Sequence, residues 1–171
     1  MHHQVALRSI ALADQHVFVA SARSSIKLHR PWVTAPTTAE AFAGYLARFD
    51  NEVHYGFAVE LPATGELVGA IHLTHVVRGP FCSGYLGYYA FAGDAGRGLM
   101  KQGLLKLMRH AFTNLRLHRL EANIQPGNTA SRHLVRACGF RQEGYSPAYL
   151  KIGGRWRDHE RWGVVRGIRS T

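Results

Sequence analysis

The run SGYLGYYAFAGDAGRGLMKQGLLKLMRHAF, from Ser83 to Phe112, constrains the fold more than any other part of the chain. An apolar, aromatic-rich strand feeds a glycine turn that opens directly into a long amphipathic helix. From Leu99 onward, Leu99, Met100, Leu104, Leu107, Met108, Ala111, Phe112 and Leu115 recur at three and four, which predicts one buried helical face. Gly96 and Gly98 let the backbone fold tightly and come close to a ligand. Successive N–H groups can then converge on an anion that also feels the positive end of the helix. No Lys-Ser or Lys-Thr follows the second glycine, which excludes a nucleoside-triphosphate loop, and GDAGRG is too short between glycines for the dinucleotide pattern GxGxxG. A cradle of pyrophosphate size remains, although a lone GxG is also ordinary loop chemistry.

The following segment, HRLEANIQPGNTASRHLVRACGF, adds a second strand and a second helix in strict order. Leu120, Ala122 and Ile124 alternate with Arg119, Glu121, Asn123 and Gln125 as in a half-buried strand. Pro126 and Gly127 break it, Asn128 suits an N-cap, and Gly139 suits the position past a helix end. Upstream, Val5 to Ile10 reads as a strand, about Asp14 to Arg23 as a helix, and Arg30 to Trp32 as irregular. Thr37 with Glu40 forms a capping box ahead of a helical face of Phe42, Tyr45, Leu46 and Phe49. Tyr55 to Leu61 and Leu67 to Val77 flank the breaker-rich PATGE as an antiparallel hairpin, and Ser83 to Phe91 is the strand into the glycine turn. Arg141 to Ile152 and Arg155 to Val165 are two more strands around Gly153 and Gly154. The expected architecture is α+β, a single domain over 1–171 with a mixed, mostly antiparallel sheet flanked by helices.

A chain of 171 residues with 46% hydrophobic content can bury one real core, and it holds no internal repeat. No stretch suits a membrane span and the amino terminus lacks a signal-peptide pattern, so a cytoplasmic protein is expected. Cys82 and Cys138 offer no metal or redox spacing and read as buried free thiols. His72 and His75, an odd number apart on a strand, should face opposite sides, and no metal site is expected. The net charge of +10 is uneven: residues 1–93 carry six Lys+Arg and six Asp+Glu, residues 94–171 fifteen and five. A basic half attracts polyanions, such as CoA phosphates, RNA or an acidic substrate chain, and it repels polyamines. Arg97 and Lys101 stand out because both sit at the first turn of the helix that would receive phosphates.

Three motifs together resemble the GCN5-related N-acetyltransferase (GNAT) superfamily, and within it the Rim-type branch of ribosomal-protein N-terminal alanine acetyltransferases. LGYYAFAGDAGRGLM is similar to the acetyl-CoA motif, NTASRHLVRACGF to the NxxS helix, and GGRWRDHERWGVV to the closing hairpin. The resemblance covers nearly the whole chain. It implies direct transfer of acetyl from acetyl-CoA to an amine, with CoA as product, in a ternary complex that holds both substrates together. It further implies that backbone groups near Ala90 and Phe91 pair with the pantetheine arm and polarise the carbonyl, while N–H groups of Gly96, Arg97, Gly98, Leu99 and Met100 hold the pyrophosphate. Asn128 and Ser131 match the NxxS pair, in which Asn128 contacts the CoA arm and Ser131 is the candidate proton donor to the thiolate. The Tyr that serves many superfamily members matches Val135, which cannot donate a proton. Trp32, Phe42, Tyr55 and Tyr145 could line an acceptor site, though core packing explains each as well.

Two departures bear on the chemistry. Some relatives place a general-base Glu where this chain has Tyr85, and Gly93 stands where the motif often has Gln or Arg. An α-amine ionises near 7.7 to 8, against about 10.4 for a lysine side chain, so an ordered water could suffice as base for the former. The favoured acceptor is therefore a protein N terminus, ribosomal-protein-like and in reach of the ribosome. A small-molecule amine such as an aminoglycoside or amino acid is the alternative. A basic nucleic-acid-binding module and a non-catalytic acetyl-CoA sensor are the readings from other classes, and a homodimer stays open.

Overall fold

The protein is described here by a computed structural model covering residues 4–167. In chain order the elements are β1 (Ala6–Ser9), α1 (Gln15–Ser24), α2 (Ile26–His29), α3 (Ala39–Leu46), β2 (Tyr55–Leu61), β3 (Glu66–Val77), β4 (Ser83–Ala90), α4 (Leu99–Thr113), β5 (Arg119–Ile124), α5 (Thr129–Ala137), β6 (Arg141–Ile152) and β7 (Arg155–Val165). One seven-stranded sheet runs β1-β2-β3-β4-β5-β7-β6. Only β4 and β5 pair in parallel; every other neighbour is antiparallel. The architecture is the α+β arrangement expected from the sequence.

Alternation along the central strands divides the core in two. Val59, Ile71 and Leu73 turn to the face covered by α4, where they meet Leu104, Leu107 and Leu120. Ala58 and Ala70, one residue out of step, turn to the opposite face and meet α1 and α3. Small residues suit that second face because it receives rings: Phe18 lies 4.9 Å from Phe42 and 5.3 Å, edge-on, from Phe91. Asn128 and Thr38 supply side-chain caps, accepting from Ser131 N at 3.2 Å and Ala41 N at 3.1 Å.

Several local expectations are corrected. The cap of α3 is Thr38 rather than Thr37, whose carbonyl instead accepts Arg23 Nε at 2.7 Å. Phe49 follows the end of α3 but still stacks edge-on against Tyr45 at 4.8 Å. Leu115 lies beyond α4, which ends at Thr113. His72 and His75 are not separated by the sheet: a register shift between Thr74 and Val77, with His75 at φ 51, returns both to one cavity. Cys138 is buried, and burial pushes its thiol up to about 11, whereas Cys82 is only half-buried.

Gly103 shows how closely α4 lies on the sheet. A Cβ there would stand 2.8 Å from both methyl carbons of Val59. Gly103→Ala gains about 1 kcal/mol of helix propensity, but overpacking a tight contact costs about 1–3 kcal/mol. Chemical denaturation should show a net loss of stability, and Val59→Ala in the same chain should recover part of it. A midpoint that rises with Gly103→Ala alone would mean that α4 is free to lift from β2.

Candidate active site

The parallel pairing of β4 and β5 lasts from Ser83 opposite Arg119 to Leu86 opposite Ala122 and then stops. Beyond that point β4 pairs only with β3, and β5 only with β7. The opened seam holds a cavity of about 1080 Å³, reaching from the glycine turn past α5 to the β6–β7 hairpin.

At one end stand Gly96, Gly98 and Lys101. Gly96 and Gly98 adopt φ 80 and φ 74, and Gly98 is the N-cap of α4, so the turn directs unpaired N–H groups and the helix end toward the cavity. A Cβ at either glycine would touch nothing; the backbone conformation is what calls for glycine here. The Leu99 and Met100 side chains are buried in the core, leaving their backbone as the part that could meet an anion. Arg97 departs from expectation: its Nη1 folds back onto the buried Asp94 carboxylate at 2.5 Å.

Along the seam, the Ala90 and Phe91 pair is half corrected. Phe91 N donates to Val68 O at 2.9 Å, its carbonyl accepts Asp94 N at 3.2 Å, and its ring is core. Phe91 thus has no backbone group to offer a ligand. The same Phe91–Val68 bond makes Ala90 and Gly69 a non-hydrogen-bonded pair, which turns the polar groups of Ala90 away from β3 and into the seam. There the Ala90 carbonyl accepts His29 Nε2 at 2.8 Å. Opposite, Gln125 Nε2 donates to Trp32 O at 2.9 Å. The segment after α1 therefore ties both lips of the seam.

Asn128 and Ser131 come together in the first turn of α5, where the Asn128 cap holds the Ser131 N–H. Val135 points into the core, fully buried. The Ser131 hydroxyl meets the Tyr88 hydroxyl of β4 in a short hydrogen bond. Burial pushes the Tyr88 phenol up to about 12, and the serine contact opposes this.

The far end is aromatic. Trp32, Val33, Tyr85 and Tyr149 line it with His72, His75 and His159. Of the four aromatics considered from sequence only Trp32 belongs here: Phe42 and Tyr55 are core, and Tyr145 is exposed with its hydroxyl on Asp158 at 2.5 Å. Burial drives His72 down to about 4, so it stays neutral. His159 is also lowered by burial, against a 2.9 Å hydrogen bond to the Arg157 carbonyl that raises it. A carbonyl only accepts, so Nδ1 carries the proton and Nε2 keeps its lone pair. Burial raises Tyr85, with Glu121 adding to the shift. Asp94, engaged by Arg97, is the sole carboxylate lining the cavity among the described residues. No group of His, Cys, Asp and Glu among those residues could hold a metal. Tyr88 and His159 were missed in the sequence; Tyr88 sits two residues before Ala90, so strand alternation already put them on one face.

Comparison with known proteins identifies the family. The model of the acetyltransferase (GNAT) domain matches residues 4–141. The "[Ribosomal protein uS5]-alanine N-acetyltransferase" of Escherichia coli is 35% identical over 138 residues, 76% of this chain and 71% of that protein. The "Probable N-acetyltransferase YjcK" of Bacillus subtilis is 30% identical over 116 residues, 68% of this chain, which spans 64% of that relative's length. Spermidine N(1)-acetyltransferase of Vibrio cholerae is more distant, 23% identical over 97% of this chain and 95% of its own. Among solved structures, Mycobacterium smegmatis RimJ in complex with CoA-disulfide superposes with a TM-score of 0.86 at 28% identity, covering 95% of this chain and 82% of that one. The chain belongs to the GNAT acetyltransferase family, and its similarity runs to the Rim branch of ribosomal-protein alanine acetyltransferases.

Proposed function

We propose that the protein is a cytoplasmic enzyme that moves acetyl from acetyl-CoA to the α-amine of a protein N terminus, by direct attack in a ternary complex. The observation that carries this reading is the opened β4–β5 seam, with a glycine cradle at one end, the Asn128–Ser131 turn in the middle and an aromatic chamber with neutral imidazoles at the other. The cavity volume and the seam-facing Ala90 suit an extended thioester substrate. In this reading the N–H groups of Gly96, Gly98, Leu99 and Met100 hold the pyrophosphate, since Arg97 N already donates to Asp94 O at 3.4 Å; Lys101 adds charge, and the Ala90 N–H orients the pantetheine arm. The amine must be uncharged to attack. His159 Nε2, directly or through water, takes the proton it loses, and Ser131 donates to the departing thiolate.

The acceptor follows from charge. An α-amine is about half neutral near pH 8, whereas lysine or polyamine nitrogens stay almost wholly protonated. A polycation would also need carboxylates, and among the described residues the cavity offers only Asp94, already paired. The basic C-terminal half suits a ribosomal-protein acceptor in reach of the ribosome.

A panel of alanine- and serine-initiated peptides, spermidine and small amines, read by CoA release, should show peptide turnover at least tenfold above spermidine. The peptide rate should rise with pH toward about 8, following the α-amine. Turnover confined to small amines would overturn the assignment. Gly96→Val forces a β-branched residue into a left-handed conformation at an exposed turn. Titration calorimetry should show acetyl-CoA affinity reduced at least tenfold while the melting temperature falls by only about a few degrees; unchanged affinity would remove the cradle from the site.

A further inference from the structure

We propose that Tyr88 is a positioning residue: its phenol donates to Ser131 Oγ and so aims the single Ser131 proton at the sulfur of bound CoA. The inference rests on the acetyl-CoA reading above and adds to it a residue outside the NxxS pair. Tyr88 stands on β4 just past the last register shared with β5, with its side chain packed against the first core. The first turn of α5 brings Ser131 to it from across the seam, and both residues line the cavity.

The direction of the bond follows from counting hydrogens. A tyrosine and a serine hydroxyl each have one proton, and each oxygen can also accept. If serine donated, the phenol proton would be left, among the described residues, with only the Ser131 carbonyl at 3.5 Å, the limit of a hydrogen bond, and the serine proton would be spent on the phenol. If tyrosine donates, the phenol is satisfied by its shorter contact and the serine proton is free to turn into the cavity. A phenol is also the stronger acid of the two and so the better donor. Burial keeps Tyr88 protonated across the physiological range. Cys138, whose thiol is itself held up by burial, is the titratable group whose charge bears on Tyr88, and Lys101, His133, His29, His72, Asp94 and His159 share the cavity wall with the pair.

Ser131 is then held at two points: its N–H by Asn128 and its hydroxyl oxygen by Tyr88. Without Tyr88 the Cβ–Oγ bond can rotate among three staggered positions, and only some present the proton to sulfur. Tyr88→Phe keeps the ring and its packing and removes only this donor.

The test is titration calorimetry of CoA, and of desulfo-CoA, which lacks the thiol, from pH 6.5 to 9.5. Taking the ratio of the two affinities cancels titrations that act on the part common to both ligands, and the Tyr88 and Ser131 variants, which keep Lys101, His133 and Cys138, control for those that act on the sulfur. A thiol ionises near about 8.5, so an aimed serine proton should raise the CoA to desulfo-CoA affinity ratio with pH, by roughly tenfold, as thiolate forms. In Tyr88→Phe and in Ser131→Ala the rise should fall below about threefold, and the double variant should be no worse than Ser131→Ala, as expected for residues acting as a unit. A fluorinated tyrosine at position 88, which retains the donor, should restore the rise and serves also if the Phe variant fails to fold. The full rise persisting in Tyr88→Phe, or no rise in the parent protein, overturns the positioning role while leaving CoA binding intact. Absence of any CoA binding in the parent protein instead overturns the acetyl-CoA reading, and this proposal with it.

Discussion

Backbone groups past Leu86 on β4 cannot be satisfied by β5, because the two parallel strands diverge after four shared registers. Buried N–H and C=O groups need partners, so a sheet that opens in its middle needs something to occupy the seam. Part of that need is met from within. The segment around α2 reaches across with His29 on the Ala90 carbonyl and the Trp32 carbonyl on Gln125, while Ser25 Oγ accepts from Ala92 N at 2.9 Å just beyond β4. The N-terminal helices are thus a brace across the opening, and Trp32 is carried into the cavity by that brace. The part of the seam they leave uncovered is the long cavity.

A second requirement is that α5 sit at a fixed height on β7, since Ser131 lies in its first turn. Arg132, the next residue, pairs with the buried Glu160 carboxylate at 3.0 Å, and the same carboxylate accepts Trp162 Nε1 at 3.0 Å. Arg136, one turn on, lies over the Trp162 ring at 5.4 Å. A buried carboxylate is tolerated because the Arg132 charge and the Trp162 N–H converge on it. The contact fixes α5 against β7 while Tyr88 reaches Ser131 from β4, so the hydroxyl is referenced to both sides of the opened sheet.

The elements were legible in the sequence because periodicity is local. Both strands of the last hairpin, the face of α4 and the Asn128 cap could be read from spacing alone. What spacing could not supply was which backbone groups are already spent. Phe91 looks equivalent to Ala90 in sequence, yet a single bond to Val68 removes it from the seam. Arg97 looks like a phosphate ligand, yet Asp94 three residues earlier captures it. His75 changes side because its backbone takes a left-handed conformation at a bulge, and the alternation rule fails at bulges by construction. Tyr88 could have been found on its strand face, but its partner lies 43 residues away on another element.

Charge was legible as a total and only in the structure as a pattern. The acids of the C-terminal half are consumed locally: Asp94 by Arg97, Glu121 and Glu143 by Arg119, Glu160 by Arg132, and Asp158 by Tyr145 and the Ala148 N–H. Three of the fifteen Lys and Arg residues of residues 94–171 account for all the ion pairs among these, so most of the positive charge has no local counter-ion in them. An uncompensated positive charge of this kind draws in anions such as the phosphates of a CoA thioester and, under the proposed function, disfavours a polycationic acceptor. Similarity to spermidine acetyltransferases at 23% identity reports the common fold, and fold alone does not choose a substrate. The chamber beyond Ser131, walled by Trp32, Tyr85 and Tyr149 with imidazoles kept neutral by burial, offers apolar contact and proton acceptance rather than counter-charge. Those are properties that the proposed acceptor, an amine that arrives already neutral at the end of a peptide chain, would use.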